Sequence, residues 1–564
     1  MNMTELGLSL QYLSSRGFKR TAARKPNIRA FKGSLQVSAG PVPVRLEIED
    51  WDFVSYPHIE ILEYPAFLPR SMPHIDSSGG LCYLARGSIV LDRFAPASAI
   101  ALCLEEAEKV LESVVSNRAS NQRDMRDEFL AYWGGGANRT WALVGHIERN
   151  ASTAQFSIVE LPKDRLGGAR LIVISTSQAE VENLARCMSG NIAANQFSSC
   201  WILETDVPPI APNGNLPVTV SDVFTYLRAW DDSLHKEVQR LLGTDRNYLQ
   251  QDAARFAIRT PPGWLGFSFE LSPAFKKAFA RKPQAYRQHL HTKGGTTAIS
   301  RMTLTEFGTD FIHARNLKSP TLAGKRVHIV GCGAIGGYLA QSLARLGAGS
   351  LGGVLKIVDP EILEPDNVGR HWLGMSSLFL PKSQAVVAEL SRQFPESKFV
   401  SEVMDVRETR GLFDADLIVD ATGIEALSEA LNASYCGRDR SKTAPILYVW
   451  VLGNGEAVQT LWVDSDKFGC YRCLRQPKGS QYRQERFPIL TTEPTLVAGG
   501  CGEYRPYAVS APMTAAALAT DAIVDWLGGN PSPRLRISCR EGAAVRHQKN
   551  LNMTPLRDCP ACRH

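Results

Sequence analysis

No apolar run among the 564 residues reaches the roughly 18 that a membrane-spanning helix requires, so a bilayer is not an expected partner. The opening stretch, MNMTELGLSLQYLSSRGFKR, lacks the apolar core of a secretory signal. An excess of one charge is also missing. The 63 basic residues stand against 57 acidic ones, a net of +6, and over this length that balance identifies neither nucleic acid nor a membrane surface as a partner. Cysteine is sparse, 12 residues. In a long chain without an export signal it points to reduced thiols, metal ligands or catalysis, and away from a disulfide framework. The expected location is the cytoplasm. What is present, 44% hydrophobic and 21% charged residues, describes an ordinary globular protein. Its length exceeds one compact core, so about three domains are expected.

The first third reads as a small α+β domain over residues 1–135. FKGSLQVSAG, VRLEIEDW and PHIEILEY, between residues 31 and 64, alternate apolar and polar positions as a meander of half-buried strands does. Pro65 and Pro69 end it, and a loop containing HIDSSGGLCYL follows at 74–84. PASAIALCLEEAEKVLESV, from Pro96, has helical spacing, with Ala97, Ile100, Leu104, Ala107 and Leu111 on its apolar side. WGGGANR at 133–139 is the expected junction. The middle third, 136–300, alternates strand-like QFSIVELP, ARLIVIST and SCWILETD with helical SDVFTYLRAW. It carries no catalytic motif, and an α+β linker domain is expected there.

From Lys325 strands alternate with helices: KRVHIVGCGAIGGYLAQSLARLGAG, LKIVDPEIL, ADLIVDATG, PILYVWVLG. That is the pattern of a doubly wound α/β fold with a mostly parallel sheet. Gly331, Gly333 and Gly336 form G-C-G-A-I-G between an apolar strand and a helix, where backbone N–H groups can meet phosphates. Asp359 ends the next strand, placed to accept ribose hydroxyls. Asn367 and Arg370 follow in DPEILEPDNVGRHWLG, Lys382 in LPKSQA, and Asp420 ends the strand in DLIVDATG. A dehydrogenase shares the glycine fingerprint but has no evident need for this set. An enzyme that breaks a triphosphate needs cations on the departing pyrophosphate and a carboxylate for Mg²⁺.

On these residues, 301–564 resembles the ThiF/MoeB-like Rossmann-type adenylating domain of ubiquitin-activating (E1) enzymes. The resemblance implies ATP and Mg²⁺, with Asp359 on the ribose and Asn367 and Arg370 along the phosphates. It also implies Lys382 on the leaving pyrophosphate and Asp420 supporting Mg²⁺. Where the family often has Gln after the Arg, His371 stands here. An arginine finger supplied across a homodimer is implied as well, with Arg301 and Arg315 as candidates.

The cysteines sort by spacing. CYRC (Cys470, Cys473) and CPAC (Cys559, Cys562) supply the four thiolates of a closed structural Zn²⁺ site, whereas a redox dithiol would need only one pair. Cys501 stands alone in GGCGEYRPYAVSA, ahead of the apolar, Ala-rich TAAALATDAIVDWL. Its C-x-x-x-R-P resembles the catalytic loop of the activating enzyme of autophagy. Arg505 is placed to favour the thiolate, which is the nucleophile. Cys332, inside the glycine loop, reads as a small filler. Cys103, Cys187, Cys200, Cys436 and Cys539 read as core or incidental.

A lone cysteine such as Cys82 is more often core than catalytic. Yet the meander, the YPAFLP turn, His74, the glycines and then Leu-Cys resemble a ubiquitin-conjugating (E2) enzyme, whose active cysteine follows His-Pro-Asn. Here His74-Ile75-Asp76 occupies that place, so the oxyanion role of the Asn falls to Asp76 or a backbone N–H. In a chain that also makes acyl-adenylates, Cys82 reads as a second catalytic thiol. A UBC-like module, a linker and an activating module, in that order, resemble the E1–E2 fusion proteins of bacterial antiphage (CBASS) systems. Those accompany cGAS/DncV-like nucleotidyltransferases (CD-NTases). The resemblance implies adenylation of a protein's C-terminal carboxylate, thioesters on Cys501 and then Cys82, and an amide on a target amine. It names the nucleotidyltransferase as partner and a homodimer through the E1-like domain. A MoeB/ThiF-type sulfur-carrier adenylyltransferase would use the same nucleotide site without needing Cys82. A regulatory scaffold would keep the glycine loop without a working Lys382 and Asp420.

Overall fold

Period-two alternation sets the first sheet. Leu35 of the Arg29–Val37 strand, Val42, Val44 and Leu46 of Gly40–Ile48, and Ile59 of His58–Ile61 are fully buried. They meet Ile100, Cys103, Leu104, Ala107 and Leu111 of the Pro96–Ser116 helix, whose apolar stripe recurs at three- and four-residue intervals. At roughly 1.5–3 kcal/mol per buried aliphatic side chain, this seam holds the helix on the sheet. The structure, a computed structural model, describes all residues except 1–2, 69–71, 76–78, 86, 135–140, 194–197, 211–215, 280–281, 318, 479–481, 500–501 and 564. Lys19–Thr21 adds a fourth antiparallel strand at one edge. A Met3–Ser15 helix, which periodicity did not reveal, packs beside Pro96–Ser116. Its Leu13 is buried while Leu8 and Leu10 are exposed, so no clean stripe marks it.

The Arg118–Trp133 helix serves a different core. Phe129 and Trp133 bury themselves among Tyr226, Trp230, Phe256 and Phe267, and the Trp133 indole N–H donates to the Gly266 carbonyl at 2.8 Å. Those aromatics lie against a sheet that closes on itself. Arg170–Ser175 pairs with Trp141–Val144 on one side and with Thr153–Glu160 on the other. Ile299–Glu306, Gly263–Glu270, Ala253–Thr260 and Ser198–Glu204 complete the ring, and Asn191–Ile192 adds a short flanking strand. Every strand of the ring contributes to its filling: Ala142, Phe156, Ile174, Cys200, Ala257, Trp264 and Met302 are all buried there. The three strands and the Val220–Trp230 helix expected in this third are present.

The chain separates into two compact units, Met1–Phe307 and Gly308–His564. Residues 301–306, assigned above to the third domain, belong to the last strand of the ring in the first unit, with Arg301 opposite Phe267. Of the expected junction at 133–139, Trp133 ends the Arg118–Trp133 helix and residues 135–139 lie outside the described residues.

In the second unit the strands run Phe399–Glu402, Val354–Val358, Arg326–Val330, Leu417–Asp420, Ile446–Leu452, Ala457–Val463, Leu535–Cys539 across the sheet. The first five run parallel, Ala457–Val463 runs antiparallel to them, and Leu535–Cys539 pairs antiparallel to it. Near-continuous apolar strands such as LIVD, buried along its whole length, fit a sheet covered on both faces. Strand order reverses at Arg326–Val330, and the crevice beyond the carboxyl ends at that point is where such sheets bind ligands.

Candidate active site

At that reversal the Arg326–Val330 strand turns into the Ala334–Arg345 helix. Gly331 sits at φ +87°, a left-handed conformation, with Thr422 packed where a side chain would go. A Cβ on Gly336 would lie 2.0 Å from the Gly331 carbonyl oxygen, so this crossing requires glycine. Gly333 differs: nothing stands within 4 Å of its missing Cβ. Open space there lets a phosphate approach the N–H groups at the helix start.

A cavity of about 630 Å³ opens beside the loop, lined by Gly333, Glu361, Asn367, Arg370, His371, Lys382 and Tyr507 among others. A second hollow of about 380 Å³ shares Gly333 and Glu361 and adds Asp359, Asp405 and Thr422. Asp359 accepts the Cys332 N–H at 2.5 Å and the Glu361 N–H at 2.8 Å, and burial pushes its carboxyl above the usual range. It therefore braces the glycine loop as well as lining the hollow. Lys382 begins the Lys382–Gln393 helix, is itself buried, and donates to Glu361 at 2.5 Å. The Glu361 side chain is 66% exposed, so this pair is weakly held and open to exchange for a phosphate. Asn367 closes a reciprocal cap with Glu364 at the Pro365–Val368 turn, accepting the Glu364 N–H at 3.1 Å.

His371 stands under the loop. Its Nδ1 accepts the Leu373 N–H at 3.0 Å, so Nε2–H donates to the Cys332 carbonyl at 2.8 Å. Burial pushes this imidazole down, which keeps it neutral, and it buttresses the glycine turn. Cys332 is wholly buried and its thiol is pushed well up by that burial, as a filler should be. Asp420 departs from expectation in its surroundings. Its carboxylate accepts the Thr422 N–H at 3.0 Å and hydroxyl at 2.6 Å, and the Ser428 hydroxyl at 2.5 Å. Burial pushes it above the usual carboxylate range. It does not line the hollow and shapes the turn that does. The described carboxylates lining these cavities are Asp359, Glu361, Glu364 and Asp405.

A further cavity of about 620 Å³ meets the first at Arg370 and Tyr507, with Arg505 also in its wall. Trp450, Leu474, Phe487 and Leu490 give it apolar surface. Arg475 there is neutralised by Glu425 at 2.9 Å and Glu485 at 3.3 Å. Arg370 lies 5.6 Å from the Tyr507 ring, an approach that keeps its charge in the site. Of the two finger candidates, Arg301 lies inside the first unit over the Trp133 ring, and its burial pushes the guanidinium down. Arg315 caps the Thr309–Ala314 helix and is exposed.

Cys470, Cys473, Cys559 and Cys562 form one buried cluster whose sulfurs all lie within 4.8 Å of one another. Sγ separations of 3.9, 3.8 and 3.6 Å match the spacing of about 3.8 Å set by tetrahedral Zn–S bonds of about 2.3 Å. Asn432 and the Leu556 N–H donate to Cys470 and Cys473 sulfurs, the outer support a metal site uses. The cluster fits Zn²⁺.

Cys501 lies outside the described residues, between the short strands Val497–Gly499 and Gly502–Tyr504. Asp76 also lies outside them. Cys82 is exposed, on a loop tied to the first sheet: the Leu81 N–H donates to Ile59 and the Ile61 N–H to Gly79. Sequence reasoning missed Glu361 opposite Lys382, Tyr507 beside Arg370, and the acids Asp124 and Glu128 facing His74. An acid two residues after Asp359 was a usable signal for the first. The others are distant in the chain and left none.

The ThiF family model matches residues 305–554, and the Prokaryotic E2 family B model matches residues 10–142. An ATP-dependent ubiquitin transferase-like protein Cap2 of Pseudomonas aeruginosa is 30% identical over 91% of this chain and 90% of its own length. Proteins of the same description from Escherichia coli and Vibrio cholerae are 24% identical over 93% and 92%, and 25% identical over 84% and 84%, of the respective chains.

Proposed function

Since the chain belongs to the family of ATP-dependent ubiquitin transferase-like Cap2 proteins, E1–E2 enzymes that unite an activating and a conjugating module, we propose that it ligates the C-terminal carboxylate of a cGAS/DncV-like nucleotidyltransferase to target amines in cytoplasmic antiphage defence. One observation carries this reading. A single chain joins a nucleotide-sized cavity behind a glycine loop to an exposed cysteine on a loop braced by a conjugating-type sheet.

Gly333 and the helix start receive the phosphates of ATP, Asp359 the ribose, and Asn367 and Arg370 the phosphate flank. Lys382 exchanges Glu361 for the departing pyrophosphate, where a fixed cation lowers the barrier. Mg²⁺, when bound, neutralises the phosphate oxygens. Glu361, once Lys382 exchanges it, and Asp405, which pairs with Arg407, are the cavity carboxylates that would hold it, while Asp420 holds the turn beneath. Arg370 and Arg505, at the mouth of the apolar cavity, hold the substrate carboxylate, and the aromatic wall takes the residues before it. Cys501 thiolate attacks the activated carbonyl, releasing AMP and forming a thioester. Cys82 takes the acyl group in a second exchange, and an amine converts it to an amide. Dividing the transfer between two thiols replaces one hard step with easier ones. Zn²⁺ ties the C-terminal segment to the Cys470–Cys473 turn. Arg315 is the cation offered to a second copy in a homodimer.

Trapping tests the order. Cys82→Ala should keep an ATP-dependent, reductant-sensitive adduct on Cys501 and form no amide, and Cys501→Ala should form no thioester at either cysteine. Peptide mapping of the adduct reads both. A thioester on Cys82 in the Cys501→Ala protein would overturn the relay.

A further inference from the structure

The Cys82 loop folds into a short antiparallel ladder. Ile75 bridges Leu81, and the Cys82 N–H donates to the His74 carbonyl at 2.7 Å. That register sets His74 opposite Cys82. Ile75 and Leu81 are buried, whereas Cys82 is exposed and the His74 side chain is 30% exposed. His74 adopts φ +64°, a left-handed conformation uncommon for a residue with a side chain and concentrated at functional sites. The Arg118–Trp133 helix holds it there. Glu128 takes both the His74 backbone N–H and Nδ1–H, each at 2.8 Å. Four residues on, the Tyr132 hydroxyl accepts the Ile75 N–H at 2.8 Å and donates to the Met72 carbonyl. Four residues back, Asp124 lies 3.5 Å from Nε2, a long and weaker contact that also favours the charged ring. A bidentate clamp thus fixes one side of the ring, while the other side makes only a long contact with Asp124.

We propose that His74, clamped by Glu128, is the donor that stabilises the oxyanion formed when an amine attacks the acyl group on Cys82. This rests on the reading of Cys82 as an acyl carrier. The neutral amine nitrogen bonds to the thioester carbon while the carbonyl π pair moves to oxygen, and His74 Nε2–H donates to that oxygen. As the C=O re-forms, the C–S bond breaks, and the proton lost by nitrogen ends on the Cys82 sulfur. His74, which by position matches the His of the His-Pro-Asn pattern, thus takes over the oxyanion role expected above of Asp76 or a backbone N–H. Among the described residues, the charged and titratable groups around it are Glu128, Asp124 and Tyr132 from the helix, with Cys82 opposite. The Glu128 hydrogen bond, against opposing desolvation, raises the imidazole, so the donor is present at low pH and is lost as pH rises through that raised value.

The test is single-turnover discharge to lysine from Cys82 charged in the full chain, followed across pH, with thermal unfolding as a check on folding. His74→Ala should charge normally but discharge on the order of a hundredfold more slowly, the usual loss for one oxyanion donor. His74→Gln, whose non-titrating amide N–H reaches the place of Nε2, should recover much of the rate and lose the high-pH decline, which a merely structural role would not predict. Glu128→Gln should move that decline to lower pH. If wild-type Cys82 never carries a thioester, the carrier reading fails and this proposal with it. If Cys82 charges but all variants discharge at the wild-type rate and pH profile, only the role of His74 fails.

Discussion

Lys382 and Asp420 are both assigned to the proposed nucleotide site, yet their surroundings give them different tasks. Lys382 reaches the cavity and pairs with a mostly exposed glutamate, an arrangement worth about 0–1 kcal/mol. Asp420 is sealed beneath the cavity wall and is the acceptor for two hydroxyls and one N–H. Lys382→Ala should therefore cut carboxylate-dependent ATP–pyrophosphate exchange on the order of a hundredfold while the unfolding midpoint barely moves. Asp420→Ala should lose exchange together with about 1–3 kcal/mol of stability, because Thr422 and Ser428 are left without their acceptor. Calorimetry beside the exchange assay separates the two. Equal destabilisation by both would contradict this division. The residue types were legible from the chain: an acid at a strand end and a lysine at a helix start. Their burial was not, because burial depends on what the rest of the chain lays over them.

At the scale of elements, the two knuckles do one job. Cys559 and Cys562 draw the C-terminal segment onto the Cys470–Cys473 turn, where the Gly469 N–H donates to Met553 and Arg486 to the Thr554 carbonyl. This cluster packs with Tyr448, Leu461 and Leu535 of the sheet. Chelation or Cys559→Ser should thus release one Zn²⁺ per chain and lower the unfolding midpoint, since a metal bound only in the fold adds its binding energy to folding. Zinc analysis and a melting curve measure it, and a purified protein without stoichiometric zinc would remove the idea. The metal ligands could be read directly because thiolate spacing is itself the chemistry. The glycine loop was readable as a loop, but which glycine faces ligand was not. Gly336 meets a carbonyl and Gly333 meets open space, a difference that depends on the element opposite.

The whole chain is two units with separate cores. Residues 308–564 carry the cavities beside the glycine loop and the four-cysteine cluster, while Cys82 lies in the first unit. Expressed alone, 308–564 should still catalyse carboxylate-dependent ATP–pyrophosphate exchange within about tenfold of the full chain, the scale of a 1.4 kcal/mol change, and should form no amide. Amide formation by that fragment would mean that Cys82 is dispensable.

The sequence alone determined the class of each unit, the glycine loop with its acids and cations, the paired thiolates and the solitary Cys82. Each of these is a local pattern, in which residue type and spacing carry the chemistry without reference to distant chain. Only the tertiary structure decided that the middle strands close into a ring, since periodicity places residues on a face but does not say which edge meets which. It alone also set Glu128 against His74, 54 positions away, and turned Asp420 inward onto Ser428. Such neighbours are chosen by the path the folded chain takes through its cores, and no short window of sequence contains that path.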